Sequence, residues 1–222
     1  MGTSTSSIVT PQWGKQSALA AWLLCCISLA IIPNVQTARI DLLDRFKIST
    51  SLGVSPVPGS CANAKKRAAP RTAFRLSRNT QAIALPSDYV FSEFVRDGFP
   101  QEFSITAIIK PKVGVRNPFL LQMMHADRWR QLGFTVGEEP EFHYRTDTDV
   151  PPDYPTFSSV NLADGRWHKV AWSVYNENVQ LWVDCVMVTE KIVRSDANTQ
   201  LNLGGVVLLG KEPGTSGNGF VG

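Results

Sequence analysis

The side chains best placed to do chemistry in this 222-residue sequence are charges rather than nucleophiles. Residues 65–78 read KKRAAPRTAFRLSR, and the basic groups Lys65, Lys66, Arg67, Arg71, Arg75 and Arg78 occur there with no acid among them. Several cationic heads on one face suit a dense polyanion. Arginine forms paired bonds to sulfate as it does to phosphate, so a sulfated glycosaminoglycan such as heparan sulfate is the expected partner. A nucleic-acid backbone would suit the same charges, but the apolar leader described below directs the chain out of the cell, where one is rarely met, so no nucleic-acid partner is expected. Two plainer readings stand beside this: a solvated basic loop, and a dibasic processing site at Lys65-Lys66-Arg67.

Acids gather in a second place, at Glu138, Glu139, Glu141, Asp147, Asp149 and Asp153. Calcium favours oxygen ligands, which makes Asp147, Asp149 and Asp153 weak calcium candidates. Their spacing matches no fixed calcium loop, and an exposed acidic edge is the expected role. The three histidines, His125, His143 and His168, fall in no zinc or metalloprotease pattern. No Gly-x-Ser-x-Gly elbow and no phosphate loop occurs either. The sequence is therefore read as a non-enzyme with no cofactor and no catalytic residue. A jelly-roll carbohydrate enzyme would need two facing carboxylates, and no pattern supplies them.

The elements that must carry these charges are short strands. The stretch 157–185, FSSVNLADGRWHKVAWSVYNENVQLWVDC, reads as three consecutive antiparallel strands. Val170, Trp172 and Val174 fall on one face. In the last run Val179, Leu181, Val183 and Cys185 are in phase. Turns are expected at Asp164-Gly165 and at residues 175–178. Upstream, Phe74 and Leu76 should point inward on a strand that turns Arg75 outward. Residues 81–85 form a short strand, and 88–95 a helical turn. Phe103, Ile105, Ala107 and Ile109 alternate; 119–125, 132–136 and 140–145 follow as strands, then 191–193 and 206–209. Leu42, Leu43 and Phe46 share a helical face of about two turns, with Asp41 near its start, and 49–60 reads as a loop. Many short strands with little helix predict an all-β antiparallel sandwich or barrel.

The first 38 residues read as a secretory leader. Their one charge is Lys15, and an apolar run from Ala18 ends at Pro33. That run is too short for a membrane-spanning helix and suits a signal peptide. No later stretch would span a membrane in the mature form. The division expected is 1–38 leader, 39–60 short helix and linker, and 61–222 the main domain. Cys25 and Cys26 leave with the leader, so Cys61 and Cys185 remain in an oxidising compartment, where a direct bridge is the plain reading.

The string Ala163-Asp164-Gly165-Arg166-Trp167-His168-Lys169-Val170, followed by Val183-Asp184-Cys185, resembles the signature of the thrombospondin N-terminal-like domain, a laminin-G-type module. With Pro152-Asp153-Tyr154-Pro155 and Val160-Asn161-Leu162 upstream, it is similar to the amino-terminal propeptide domain of type V and XI fibrillar collagen chains. Residues 72–77, 99–105 and 130–133 extend the likeness, which runs from about Cys61 onward. The resemblance implies a jelly-roll of the laminin-G/concanavalin type. It implies a non-catalytic extracellular-matrix module at the amino end of a collagen-like chain. Matrix proteins would be its partners, and other collagen chains would join through regions absent here. Some modules of this family bind heparin through basic patches, which favours the glycosaminoglycan reading. The alternative is a secreted signalling or adhesion protein in which the same module precedes cysteine-rich repeats. The resemblance also implies that Cys61 and Cys185 each bond a later cysteine not in this sequence. The chain then reads as a fragment lacking its last strand, expected to fold poorly alone.

Overall fold

Alternation of apolar and polar residues becomes two antiparallel sheets and a separate two-stranded pair. The computed structural model describes residues 38–60, 72–77, 80–210 and 220. The chain divides into two compact units, 1–39 and 40–222. The first lies almost wholly outside the described residues, as does the leader reading, so the architecture is that of the second. Its strands are β1 (Val54–Pro58), β2 (Thr72–Leu76), β3 (Ile83–Pro86), β4 (Phe103–Ile109), β5 (Phe119–Met124), β6 (Arg130–Thr135), β7 (Phe142–Tyr144), β8 (His168–Tyr175), β9 (Asn178–Val183), β10 (Val186–Ile192) and β11 (Val206–Leu209). One sheet runs β10-β9-β8-β4, the other β3-β11-β5-β6-β7, and β1-β2 form a separate pair.

The inward rows fall where the period of two puts them. Val170, Trp172, Val174, Val179 and Leu181 are buried from the four-stranded sheet. Leu121, Met123, Leu132, Phe134, Phe142, Tyr144 and Val207 are buried from the five-stranded one. The layers meet where the Trp172 and Phe134 rings stack, 4.1 Å apart. Phe91, Phe94, Phe99 and Phe103 extend the core through edge-to-face contacts. Among the described residues helix is confined to α1 (Leu42–Arg45), α2 (Ser87–Val90) and two short 3₁₀ turns. Asp41 caps α1, its carboxylate accepting the Leu43 and Asp44 amides.

Several expectations are corrected. The helix of about two turns is one α turn followed by the 3₁₀ turn Ile48–Thr50; Phe46 is buried but Leu43 is exposed. The loop and linker read over 49–60 contains β1, paired with β2 from Val54↔Leu76 to Pro58↔Thr72. Pro56 and Pro58 hid it; they lack N–H donors, which an edge strand tolerates. The first of the three strands read in 157–185 is absent. Phe157, Val160, Leu162 and Ala163 are buried, a spacing that does not alternate. Their segment bonds to loops instead: the Phe157 and Leu162 amides donate to the Pro140 and Gly137 carbonyls. The strand expected at 191–193 is the end of β10, which starts at Val186 and completes the hairpin with β9.

Candidate functional site

Of the basic cluster, Arg75 is the member the structure describes. It stands exposed on β2 opposite Ser55, while Leu76 turns into the core. Lys65, Lys66, Arg67, Arg71 and Arg78 lie outside the described residues, as does Cys61.

The three aspartates do not converge. The Asp149 side chain, expected on an exposed edge, is buried, and its carboxylate accepts the Ser195 amide at 2.7 Å. Asp147 is exposed, 3.9 Å from His125 Nε2, and Asp153 is exposed in the loop beyond. Among the described residues no group of three or more His, Cys, Asp or Glu side chains is placed to hold a metal.

Cys185 is an exposed free thiol, not the inward strand residue expected. With Asp184 it forms the two-residue β9–β10 turn, at φ +52° and +71°. Both central residues of such a turn take positive φ, a role glycine fills without strain. A non-glycine residue there costs about 1 kcal/mol. Cys185→Gly is therefore expected to raise stability by about 0.5–1 kcal/mol, read as a higher urea midpoint under reducing conditions. A lower midpoint would show that the thiol makes a stabilising contact.

A polar and aromatic layer on the outer face of the five-stranded sheet was not foreseen. His143 projects opposite to its buried neighbours Phe142 and Tyr144 on β7. It stacks on Tyr154 at 4.0 Å and meets the edge of Phe119 at 5.0 Å. The Arg130 guanidinium lies 3.9 Å from the Phe119 ring centre, and its Nε donates to Gln122 Oε1 at 2.8 Å. Gly133 makes room for both: a Cβ there would meet Arg130 Cδ at 2.7 Å and Phe119 Cε1 at 3.0 Å. Further along, Arg145 covers Trp129, which stacks on His125. Burial, aided by the Arg130 charge, lowers the His143 pKa below its ordinary value, against the opposing bond to Glu141. His143 is thus neutral at neutral pH. Its Nε2 pairs with Glu141 at 3.1 Å, and its Nδ1 meets no hydrogen-bond partner among the described residues. This layer orients rings and cations around the imidazole.

The third histidine binds two carboxylates. His168 Nε2 is 3.0 Å from Asp164 Oδ1 and Nδ1 is 3.0 Å from Asp184 Oδ2. Asp164 also accepts the Arg166 amide and side chain, at 2.8 and 2.6 Å. The turn this needs is made at Gly165, φ +78°. Asp184 accepts the Lys169 amide at 2.8 Å. Those backbone bonds, then the histidine, hold both carboxyl groups below the usual range. The Asp-Gly-Arg-Trp-His and Val-Asp-Cys strings stood out in the sequence as a family resemblance, but nothing in them joined His168 to Asp164 and Asp184.

Two face-to-face antiparallel sheets define an all-β sandwich of the jelly-roll type. More narrowly, residues 119–222 match the family model of the laminin G domain. Laminin G domains are extracellular binding modules, and that class is what the match supports. Solved structures similar to this chain include the full extracellular region of zebrafish Gpr126/Adgrg6 (11% identity, TM-score 0.44, covering 55% of this chain and 17% of that one). Domains LG4-5 of the mouse laminin alpha1 chain are also similar (18% identity, TM-score 0.39, 64% of this chain and 36% of that one). So is tailspike protein 2 of Escherichia coli O157:H7 bacteriophage CAB120 (10% identity, TM-score 0.48, 85% and 26%). The chain thus spans 17% and 36% of the lengths of the first two. Among the described residues no helix is long and apolar enough to cross a membrane.

Proposed function

We propose that this chain is a non-enzymatic extracellular-matrix module that binds sulfated glycosaminoglycan through its basic segment. The observation that carries the reading is β2, which buries Leu76 and exposes Arg75 within the run of basic residues. A strand anchored by its apolar face turns the alternate side chains to solvent, where cations reach a polyanion. The laminin G match over 119–222 supports the extracellular class. The collagen-like context rests on the sequence resemblance. In that context the module projects from the amino end of the chain and recruits heparan sulfate and matrix proteins.

The test is retention on immobilised heparin as salt rises. Charge reversal at Lys66, Arg67, Arg71 or Arg75 is expected to lower the eluting salt concentration, and a triple reversal to abolish retention near physiological ionic strength. Elution unchanged by the triple reversal would remove this site.

A further inference from the structure

We propose that His168 is a pH-operated clasp that fastens the β9–β10 hairpin to the loop entering β8. The geometry settles the charge of the imidazole. Both of its nitrogens lie 3.0 Å from carboxylate oxygens, Asp164 Oδ1 on one side and Asp184 Oδ2 on the other. An ionised carboxylate only accepts hydrogen bonds, and a neutral imidazole has one N–H to give. Satisfying both contacts takes two N–H donors, so the bridging form is the imidazolium. Loss of one proton leaves a nitrogen lone pair facing a carboxylate, and one of the two bonds becomes repulsive.

The groups joined belong to different parts of the chain. Asp164 sits in the loop before β8, pinned by Arg166. Asp184 is the first residue of the hairpin turn. Its amide donates to the Lys169 carbonyl and its carboxylate accepts the Lys169 amide, each at 2.8 Å. From β4, the residue opposite His168 is apolar Ile109, with Lys110 following it in sequence. The charges bearing on the imidazole are therefore the two aspartates, with Arg166 and Lys169 behind them and the Cys185 thiol next along the turn. The turn it secures is held at positive φ at both positions without glycine, so the clasp steadies a backbone that would otherwise relax.

Partial burial disfavours the charged ring, but the hydrogen bonds and charges of Asp164 and Asp184 outweigh it, and the His168 pKa is raised above its usual 6.5. A raised folded pKa contributes stability that is complete below the unfolded value. That stability is lost as pH rises through the folded value. The two depressed carboxyls act in the opposite sense, losing their contribution as pH falls through their folded values. The clasp is thus closed between the depressed folded pKa values of the two aspartates and the raised one of His168, and it opens as pH rises through the latter.

The experiment is an NMR titration of the whole chain. It follows the His168 ring protons together with hydrogen exchange at the Lys169 and Asp184 amides. The expected midpoint lies above 6.5 and falls by about one unit in Asp164→Asn and again in Asp184→Asn, the usual effect of removing an adjacent charge. Protection of the Lys169 and Asp184 amides should drop across that midpoint beyond the intrinsic base-catalysed trend, while the Met123 amide in β5 follows the trend alone. A wild-type midpoint at or below 6.5, or hairpin protection that tracks Met123, would overturn the proposal. The wild-type titration decides even where a variant fails to fold.

Discussion

Trp172→Ala should lower stability by about 4 kcal/mol, the usual cost of emptying a large aromatic site in a packed core. Trp172 has no exposed surface, and it lies in β8 between β4 and β9, stacked on Phe134 of the opposite sheet. Removing the indole leaves a void in the layer where the sheets touch, and strands paired on both sides cannot close over it. For a domain of this size the midpoint of thermal unfolding should fall by roughly 8–16 °C. Trp172→Phe should cost less than half as much. It keeps a ring against Phe134, and the lost indole N–H meets no hydrogen-bond partner among the described residues. Urea denaturation followed by far-UV circular dichroism measures both. A loss below about 1 kcal/mol for the alanine variant would mean that the two sheets do not depend on this contact.

That the core was legible follows from the same residue. Val170, Trp172 and Val174 alternate in a run with neither proline nor glycine, so the inward face could be read directly, and likewise for Phe103 to Ile109 and Phe74 to Leu76. Legibility ended where burial lost its period. Phe157, Val160 and Leu162 are buried by a segment whose amides find loop carbonyls, and no local spacing announces such partners. Gln131 shows a second kind of blindness. Pairing shifts between Met123↔Leu132 and Met124↔Arg130, leaving Gln131 as the extra residue of a bulge. Its amide group then clasps the Asn202 backbone at 2.7 and 2.9 Å. A polar side chain beside a strand looks solvent-facing in sequence; only the partner 71 positions away makes it a buried staple. The outer-face layer around His143 was hidden for the same reason. Phe119, Arg130, His143 and Tyr154 come from β5, β6, β7 and the loop beyond, and they adjoin only once the sheet has formed.

Arg194 joins these hidden residues, and its loss should be nearly as costly as that of Trp172. In sequence it directly follows the strand read at 191–193 and carries no sign of burial. In the fold it is almost wholly buried, 2% exposed. Its Nε donates to the Asn176 carbonyl at 2.5 Å, and one terminal nitrogen reaches Tyr144 Oη at 3.3 Å and the Thr199 carbonyl at 3.5 Å. The guanidinium also faces the Tyr144 ring, 5.3 Å from its centre. It thereby ties the β8–β9 turn of one sheet to β7 of the other. Burying a charge with no carboxylate partner among the described residues is costly, and these bonds offset part of that cost. Arg194→Ala should lose about 3 kcal/mol, combining an orphaned carbonyl with a cavity. Arg194→Met refills the space but leaves the Asn176 carbonyl unpaired, and should remain about 1–2 kcal/mol below wild type. Arg194→Lys should also fall short, because one ammonium cannot reach both the carbonyl and the phenol with the planar fork. If the methionine variant matched the wild type, packing alone would explain the site, and the inter-sheet bonds would contribute nothing net.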